Sequence, residues 1–538
     1  MSKNLLFWVA SVVGVTVAAY SGSASAGSVS HNNLRLRHLS EFPNKGNVIR
    51  KAEHVQSDRP SGESELLVKS SWGYEAYLGE YAIDKVSNGS VVEMIEEGDG
   101  ETVWFNNPTI GLITSNWYKG TKEGDRIVVR GPQAIVEDPE YGEMLYLMPC
   151  EYFEDEFWSW YRPTADREFI YNVHDGKIES SDPDIVLGLC FKTGDDEYEW
   201  AAYGDYDIVM APHTAVPLQL PENVDVEEWT LSDGQMGHPV KVGVDGDVMY
   251  VGGILPSLPD AYIRGSISGD EVTFDSNQYL GIDGSYLCDA YFIGSVDNSF
   301  YNEYGEYVVL FDMLDSISFS YDAAGAVLSN DSEAILVNAG TEYTNKVFSA
   351  NHPTIKKLTR EPGTAPMAPE FTDVMWYESD FGFGVFAYMV PNIDVNGFPL
   401  NTNQLYYKVY YNDEEVEFYP DEYPGLTEPT ILIPYDFYDN VGIYGDDTGL
   451  RTTIYYSQGV DSISLQSVYV EEDGSEVYSE ISTIANESVK VGEVAAGNPV
   501  RTVFYDLQGN MISTHSTGIV IEKQIFSDGS CKVRKIVR

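Results

Sequence analysis

The chain reads as all-β, and three observations predict it. Asx-Gly pairs recur at Asn88-Gly89, Asp99-Gly100, Asp175-Gly176, Asp245-Gly246, Asp283-Gly284, Asn396-Gly397 and Asp473-Gly474. Such pairs tolerate the positive φ that tight hairpins demand. Between them lie short alternating runs, such as Arg126-Ile-Val-Val-Arg130 and Tyr406-Tyr-Lys-Val-Tyr-Tyr411, without long helical periodicity. Aromatics make up 13% of the 538 residues and 39 of them are Tyr, which packs its ring in a sheet while its hydroxyl stays wet.

The elements follow in order. Residues 1–26 have the pattern of a signal peptide: Lys3, an apolar run through Ala19, then Ala24-Ser25-Ala26 for cleavage before Gly27. Residues 27–63 are polar and aperiodic, as in a linker or propeptide. Residues 64–215 and 216–345 read as two copies of one β domain. Trp117-Tyr-Lys-Gly120 with Gly124-Asp125 aligns with Tyr262-Ile-Arg-Gly265 with Gly269-Asp270. Val103-Trp-Phe105 matches Val248-Met-Tyr250, and Phe169-Ile-Tyr171 echoes Phe319-Ser-Tyr321. A period of roughly 145–150 residues is too long for a solenoid unit and fits a duplicated domain. Each copy is expected to be a β-sandwich or a small β-barrel. Pro353, Pro362 and Pro366 mark a linker at 346–368. Residues 369–488 carry tyrosine-rich strands and have the size of a fibronectin type III or immunoglobulin-like sandwich. Residues 494–538 form a small, basic C-terminal β unit.

Charge narrows the function. With 32 Lys and Arg against 85 Asp and Glu, the formal charge is −53. Phosphate neutralisation needs the opposite balance, so nucleic acid is excluded as a partner, and anionic membrane surfaces are disfavoured. After signal cleavage no segment has the length and apolarity of a membrane span. Cys150, Cys190, Cys288 and Cys531 form no CxxC pair, which argues against a zinc knuckle. A Cys150–Cys190 disulfide stays open, because both fall in one expected domain.

No catalytic residue emerges. The chain has no GxSxG, no HExxH, no Walker loop and no dinucleotide fingerprint. Glu151, Glu154, Asp155 and Glu156 are the densest acids near aromatics, but glycoside cleavage needs two carboxylates facing each other across a substrate. Trp158, Trp160 and Tyr161 follow them. In a strand Trp158 and Trp160 would share a face, as an aromatic platform for a sugar or as core. Asn392, Asp394 and Asn396 alternate oxygen ligands ahead of Gly397, a pattern that suits calcium or a plain hairpin turn. Calcium is the one cofactor that the pattern admits.

The repeat and the tail together resemble secreted multidomain proteins of Bacteroidetes. Leu258-Pro259-Asp260-Ala261-Tyr262 through Ser266, with Phe274 and Gln278-Tyr279-Leu280-Gly281, match the repeat of that group. Tyr505, Asp506, Leu507, Gly509, Gly518 and Lys532 match its C-terminal sorting domain; Asn510 and Val520 depart from the usual residues. The resemblance implies type IX secretion through the tail, and a secreted or outer-surface location. It also implies Ser316 and Ser462 as O-glycan acceptors, each between Asp and Ile. It carries no activity or catalytic residues. The expectation is a non-enzymatic binding or adhesion protein for an extracellular glycan or protein. The alternatives are a structural spacer of the cell surface and a carboxylate-based glycoside hydrolase.

Overall fold

The computed structural model describes residues 58–77, 81–109, 116–137, 144–154, 159–301, 307–308, 310–379, 382–439, 441–445 and 449–486, and four tail strands. The signal peptide and most of the polar segment at 27–63 lie outside them. The fold is all-β and multidomain. No helix of the described residues is long and apolar enough to cross a membrane.

The first unit contains β1 (Glu63–Tyr77), β2 (Tyr81–Glu96), β3 (Thr102–Asn106), β4 (Trp117–Glu123), β5 (Arg126–Arg130), β6 (Gln133–Glu137), β7 (Met144–Glu154), β8 (Ser159–Pro163), β9 (Glu168–His174), β10 (Lys177–Ser180), β11 (Ile185–Lys192) and β12 (Tyr198–Pro212). Its antiparallel pairings close a ring: β1-β2-β3-β4-β5-β9-β10-β12 and back to β1. The first half of β12 leaves the ring and pairs with β11, which continues through β7 to β6 and β8 as a flap. Alternation explains both layers. Val103, Phe105, Ile127 and Val129 face the barrel interior. On β7, Leu145 and Leu147 join that core, while Tyr146 and Met148 pack on the other side.

The second unit repeats the plan. Its strands are β13 (Val226–Ser232), β14 (Gly237–Asp245), β15 (Val248–Gly252), β16 (Tyr262–Ser268), β17 (Glu271–Asp275), β18 (Gln278–Asp283) and β19 (Cys288–Asp297). A ribbon of β20 (Phe300–Tyr301) and β21 (Tyr307–Val308) follows, then β22 (Phe311–Met313), β23 (Ser316–Asp322), β24 (Val327–Ser329), β25 (Ala334–Ala339), β26 (Lys346–Asn351) and β27 (Thr354–Lys356). β13-β14-β15-β16-β17-β23-β24-β27 form a closed barrel, and β18-β19-β25-β26 form its flap, with β22 on β19. The boundary expected at 345 falls before β26 and β27, which the prolines nearby disguised as linker.

The ladders also correct the alignment of the copies. Val103 faces Gly120, and its counterpart facing Gly265 is Met249, one residue beyond the expected Val248. A one-residue slip exchanges inside for outside. Trp104 therefore corresponds to Tyr250, and Phe105 to Val251. In β9 the shift is two: Val129 faces Phe169, and Phe274 faces Ile317.

Both copies bend the barrel-closing strand at a residue in the left-handed region, Asp207 (φ 50°) in the first and His352 (φ 47°) in the second. Both also leave their third barrel strand through such a residue, Asn107 (φ 49°) or Gly253 (φ 78°). In the first barrel, the Lys69 ammonium donates to the Asn107 carbonyl at 2.9 Å and to Asp205 Oδ2 at 2.9 Å. Ser71 Oγ donates to the same carboxylate at 3.2 Å. Lys69 is 2% exposed and Asp205 0%. Counted from the two bends, Leu231 and Ala350 occupy the corresponding places, both buried. There the Gly253 carbonyl accepts from His238 Nε2 at 3.0 Å instead, and burial holds that imidazole below its usual pKa.

The two units meet where β2 pairs with β19. Val91 N donates to Leu287 O at 2.7 Å, and Ser90 pairs with Cys288. Gly89 lies against Gly340 so closely that a Cβ on Gly89 would sit 2.4 Å from the Gly340 nitrogen. Beyond the second barrel stands a two-sheet sandwich. One sheet contains Glu370–Glu378, Phe383–Met389, Leu450–Tyr455 and Ile443–Gly445; the other is centred on Leu405–Tyr411 and Ser462–Val470. Its core includes a hydroxyl chain in which Tyr388 bonds Tyr407 at 3.1 Å and Thr453 at 2.9 Å. The β13–β14 turn docks here: Gly237 N donates to Asn392 Oδ1 at 2.8 Å, and Tyr435 Oη lies 3.9 Å from Met236 Sδ. The tail strands Arg501–Tyr505, Met511–Ile512, Ile519–Ile525 and Cys531–Val537 form a small antiparallel sheet.

Removing one member of a buried ion pair leaves the other charge stranded, at about 3–5 kcal/mol. Asp205→Ala should therefore destabilise the first barrel by that amount in urea unfolding. Lys69→Leu/Asp205→Ala, with the residues of the second barrel, should recover more than half of the loss. A double variant as unstable as the single one would refute this account of the pair.

Candidate functional site

A groove of about 430 Å³ opens where the outer wall of the first barrel meets its flap. Trp104, Trp117, Lys119, Val128, Arg130, Ala134 and Tyr146 are among its lining residues. β4 turns Trp117, Lys119 and Thr121 to one face by simple alternation, and β5 does the same with Val128 and Arg130. Trp117 and Tyr146 are buried and form the floor. Trp104 and Lys119 are directly opposed across the β3–β4 ladder, with the ammonium 5.8 Å from the ring centroid. The Trp104 indole N–H is held by Glu97 Oε1 at 2.7 Å. Arg130 is pinned at the rim by Glu123 and Glu168, both at 2.8 Å.

Gln133 fixes how the flap leaves the barrel. Its amide accepts from Lys119 N at 2.7 Å, donates to Lys119 O at 2.8 Å and donates to Arg130 O at 2.9 Å. Gln278 repeats all three bonds in the second copy, with Arg264 N at 2.8 Å, Arg264 O at 3.0 Å and Asp275 O at 2.8 Å. Sequence reasoning included Gln278 in the repeat and did not see this fork. The matching Gln at a 145-residue offset was the available signal.

The residues expected from sequence are dispersed. Trp158 lies outside the described residues. Trp160 lies on β8 opposite Phe153. Tyr161 is buried, edge-on to Trp200 at 4.8 Å and to the exposed Tyr152 at 5.7 Å. Tyr161 is not among the residues lining the groove.

Asn392 Oδ1 and Asp394 Oδ1 are already engaged. Asn392 Oδ1 receives the bond from Gly237. Asp394 is fully buried, and its Oδ1 accepts from Asn396 N at 2.8 Å and Phe398 N at 3.0 Å. The neighbouring Arg360 feels the Asp394 charge, after the larger effect of its bond to Glu471. The Asp394 Oδ2 is buried without a hydrogen-bond partner, and Arg360 forms its ion pair with Glu471. Among the described residues, no three His, Cys, Asp or Glu side chains converge as a metal-ligand set.

Ser316 and Ser462 each open a strand, half-buried, next to exposed Asp315 and Asp461. Tyr505 and Lys532 lie on tail strands; Asp506, Leu507, Gly509 and Gly518 fall outside the described residues. Cys150 and Cys190 are buried thiols with sulfurs 3.5 Å apart. The β7–β11 register sets Val186, not Cys190, opposite Cys150, so the sulfurs approach by leaning along the strands.

A second polar cluster joins the barrels. His213 Nε2 lies 2.8 Å from Asp289 Oδ1 and 3.0 Å from Tyr279 Oη, and the Tyr279 hydroxyl donates to Asp289 Oδ1 at 3.0 Å. Burial pushes the Asp289 carboxyl up, against the opposing pull of His213 and the Tyr279 hydrogen bond. No protein-family model matches this chain, and no curated protein matches it.

The sign of the Asp289 shift fixes a pH dependence. The folded carboxyl keeps its proton above the unfolded value near 3.8, so the native state binds more protons in that interval. Its contribution to stability therefore falls as pH rises from the unfolded to the folded pKa, then levels off. Asp289→Asn should flatten this segment of the stability–pH curve in denaturant titrations. An unchanged slope would show that Asp289 does not generate it.

Proposed function

We propose that the protein is a non-enzymatic extracellular binding protein, exported through residues 1–26 and the C-terminal tail, with its ligand site in the groove of the first barrel. The observation that carries this reading is the groove itself. Two indoles and a phenol lie beside an exposed Lys and a fixed Arg, in a recess whose size suits a small-ligand or glycan-tip site. Flat aromatic faces offer apolar contact to the C–H face of a sugar, and the charged groups offer hydrogen bonds to its hydroxyls.

Glu123 and Glu168 are both bonded to Arg130, an arrangement for holding a guanidinium at the rim. A glycosidase instead needs one carboxyl to protonate a leaving group and another to attack or activate water. Binding is thus favoured over hydrolysis at this groove. The spacer reading has its own support in the close seams, at Gly89 with Gly340 and at Met236 with Tyr435. A spacer has no use for the groove.

The test is capture of glycans and proteins by the mature chain, with Trp104→Ala as the probe variant. Truncating a central aromatic should weaken the captured ligand by at least about tenfold. The thermal unfolding midpoint should barely move, because Trp104 is only partly buried. Equal capture by the variant would remove the groove as the binding site.

A further inference from the structure

The two copies differ at one decisive place in this groove. In the first, Ala134 follows the bracing Gln133 and stands opposite Tyr146 in the β6–β7 ladder. In the second, Tyr279 follows Gln278 and stands opposite Tyr291. The Tyr279 ring packs on Tyr291 with centroids 5.2 Å apart, and its hydroxyl is tied to Asp289 and His213. An aromatic ring thus stands in the second copy where a methyl group stands in the first, and Tyr250 and Tyr262, the counterparts of Trp104 and Trp117, are buried with Leu218, Leu220 and Val224. The rim differs as well: Asp275 replaces Arg130 at the end of the fifth barrel strand.

Charge narrows what the open groove can take. Arg130 is neutralised by its two carboxylates, and Glu97 adds a third beside Trp104. Lys119 is then the cation left over the aromatic wall. Three carboxylates against two cations, on a chain of charge −53, disfavour an anionic ring. Lys119 at the Trp104 ring disfavours a cationic one. Hydroxyl groups can pair with ions of both signs at once.

We infer that the first barrel holds a saccharide site selective for uncharged sugar rings and kept open by Ala134, while Tyr279, together with Leu218, Leu220 and Val224, closes the corresponding place in the second barrel. This rests on the groove being the binding site, and it adds the ligand class and the residue that separates the copies. The test uses the full mature chain with neutral hexose oligosaccharides and uronate oligomers of matched length, read by titration calorimetry. Neutral oligomers should bind with one site per chain, and uronates at least about tenfold more weakly. Ala134→Tyr should cost neutral binding at least about tenfold, while Ala134→Ser keeps it. If Ala134→Tyr fails to fold, Thr121→Trp blocks the same groove from its rim and should give the same loss. Uronates binding as tightly as neutral sugars, two sites per chain, or full affinity in both blocking variants would overturn the inference. If no sugar of either class binds but a protein ligand is lost in Trp104→Ala, the sugar inference falls and the groove stands. If that ligand is retained, both fall.

Discussion

A single bent strand carries the architecture. β12 closes the first barrel with one half and starts the flap with the other, and one residue in the left-handed region makes the change of direction. A strand that continued straight would keep all its pairings in one sheet. Because it bends, a second layer peels away from the barrel, and the recess between wall and layer is the groove. In the second copy the same bend falls at His352, just before Pro353, and divides the element into two short strands. The duplicated unit is thus a barrel and a flap joined by one hinge in the ladder.

The bend is compatible with different chemistry inside. In both copies the left-handed residue after the third barrel strand turns a carbonyl inward, where an unpaired acceptor costs about 1–3 kcal/mol. One copy answers with a charged Lys and therefore needs a buried counter-charge. The other answers with a neutral imidazole and keeps Leu and Ala around it. The charged solution is not evidently the more stable one, since buried ion pairs seldom outperform apolar packing. The need for a donor is shared, and the identity of the donor is free to drift.

Much of the fold was legible in the sequence. The Asx-Gly turns, the alternating runs and the duplication each reflect local chemistry, and local chemistry is what a sequence displays. Register was less legible: Val103-Trp-Phe105 looks like Val248-Met-Tyr250, yet the ladder pairs it one residue later. Lys69 hid because a Lys flanked by Ser reads as outward-facing, while its alternation with Leu67 and Ser71 turns it inward. The groove was the least visible feature. Its residues come from three strands of the barrel wall and two of the flap, whereas Trp158, Trp160 and Tyr161 drew notice merely by being adjacent. Ala134 is silent in a sequence, because its importance lies in the atoms it does not have.

The seam at Gly89 and Gly340 has a further consequence. A side chain on Gly89 would run into the Gly340 backbone, one on Gly340 would run into Asn88, and both glycines have positive φ. Neither position can accept a larger residue while the residues across the seam stay where they are. Once the two barrels had settled together in this way, substitution at either glycine became contingent on movement of a neighbouring body. The juncture thereby ties the later history of one half of the molecule to that of the other, even as their interiors and grooves diverge.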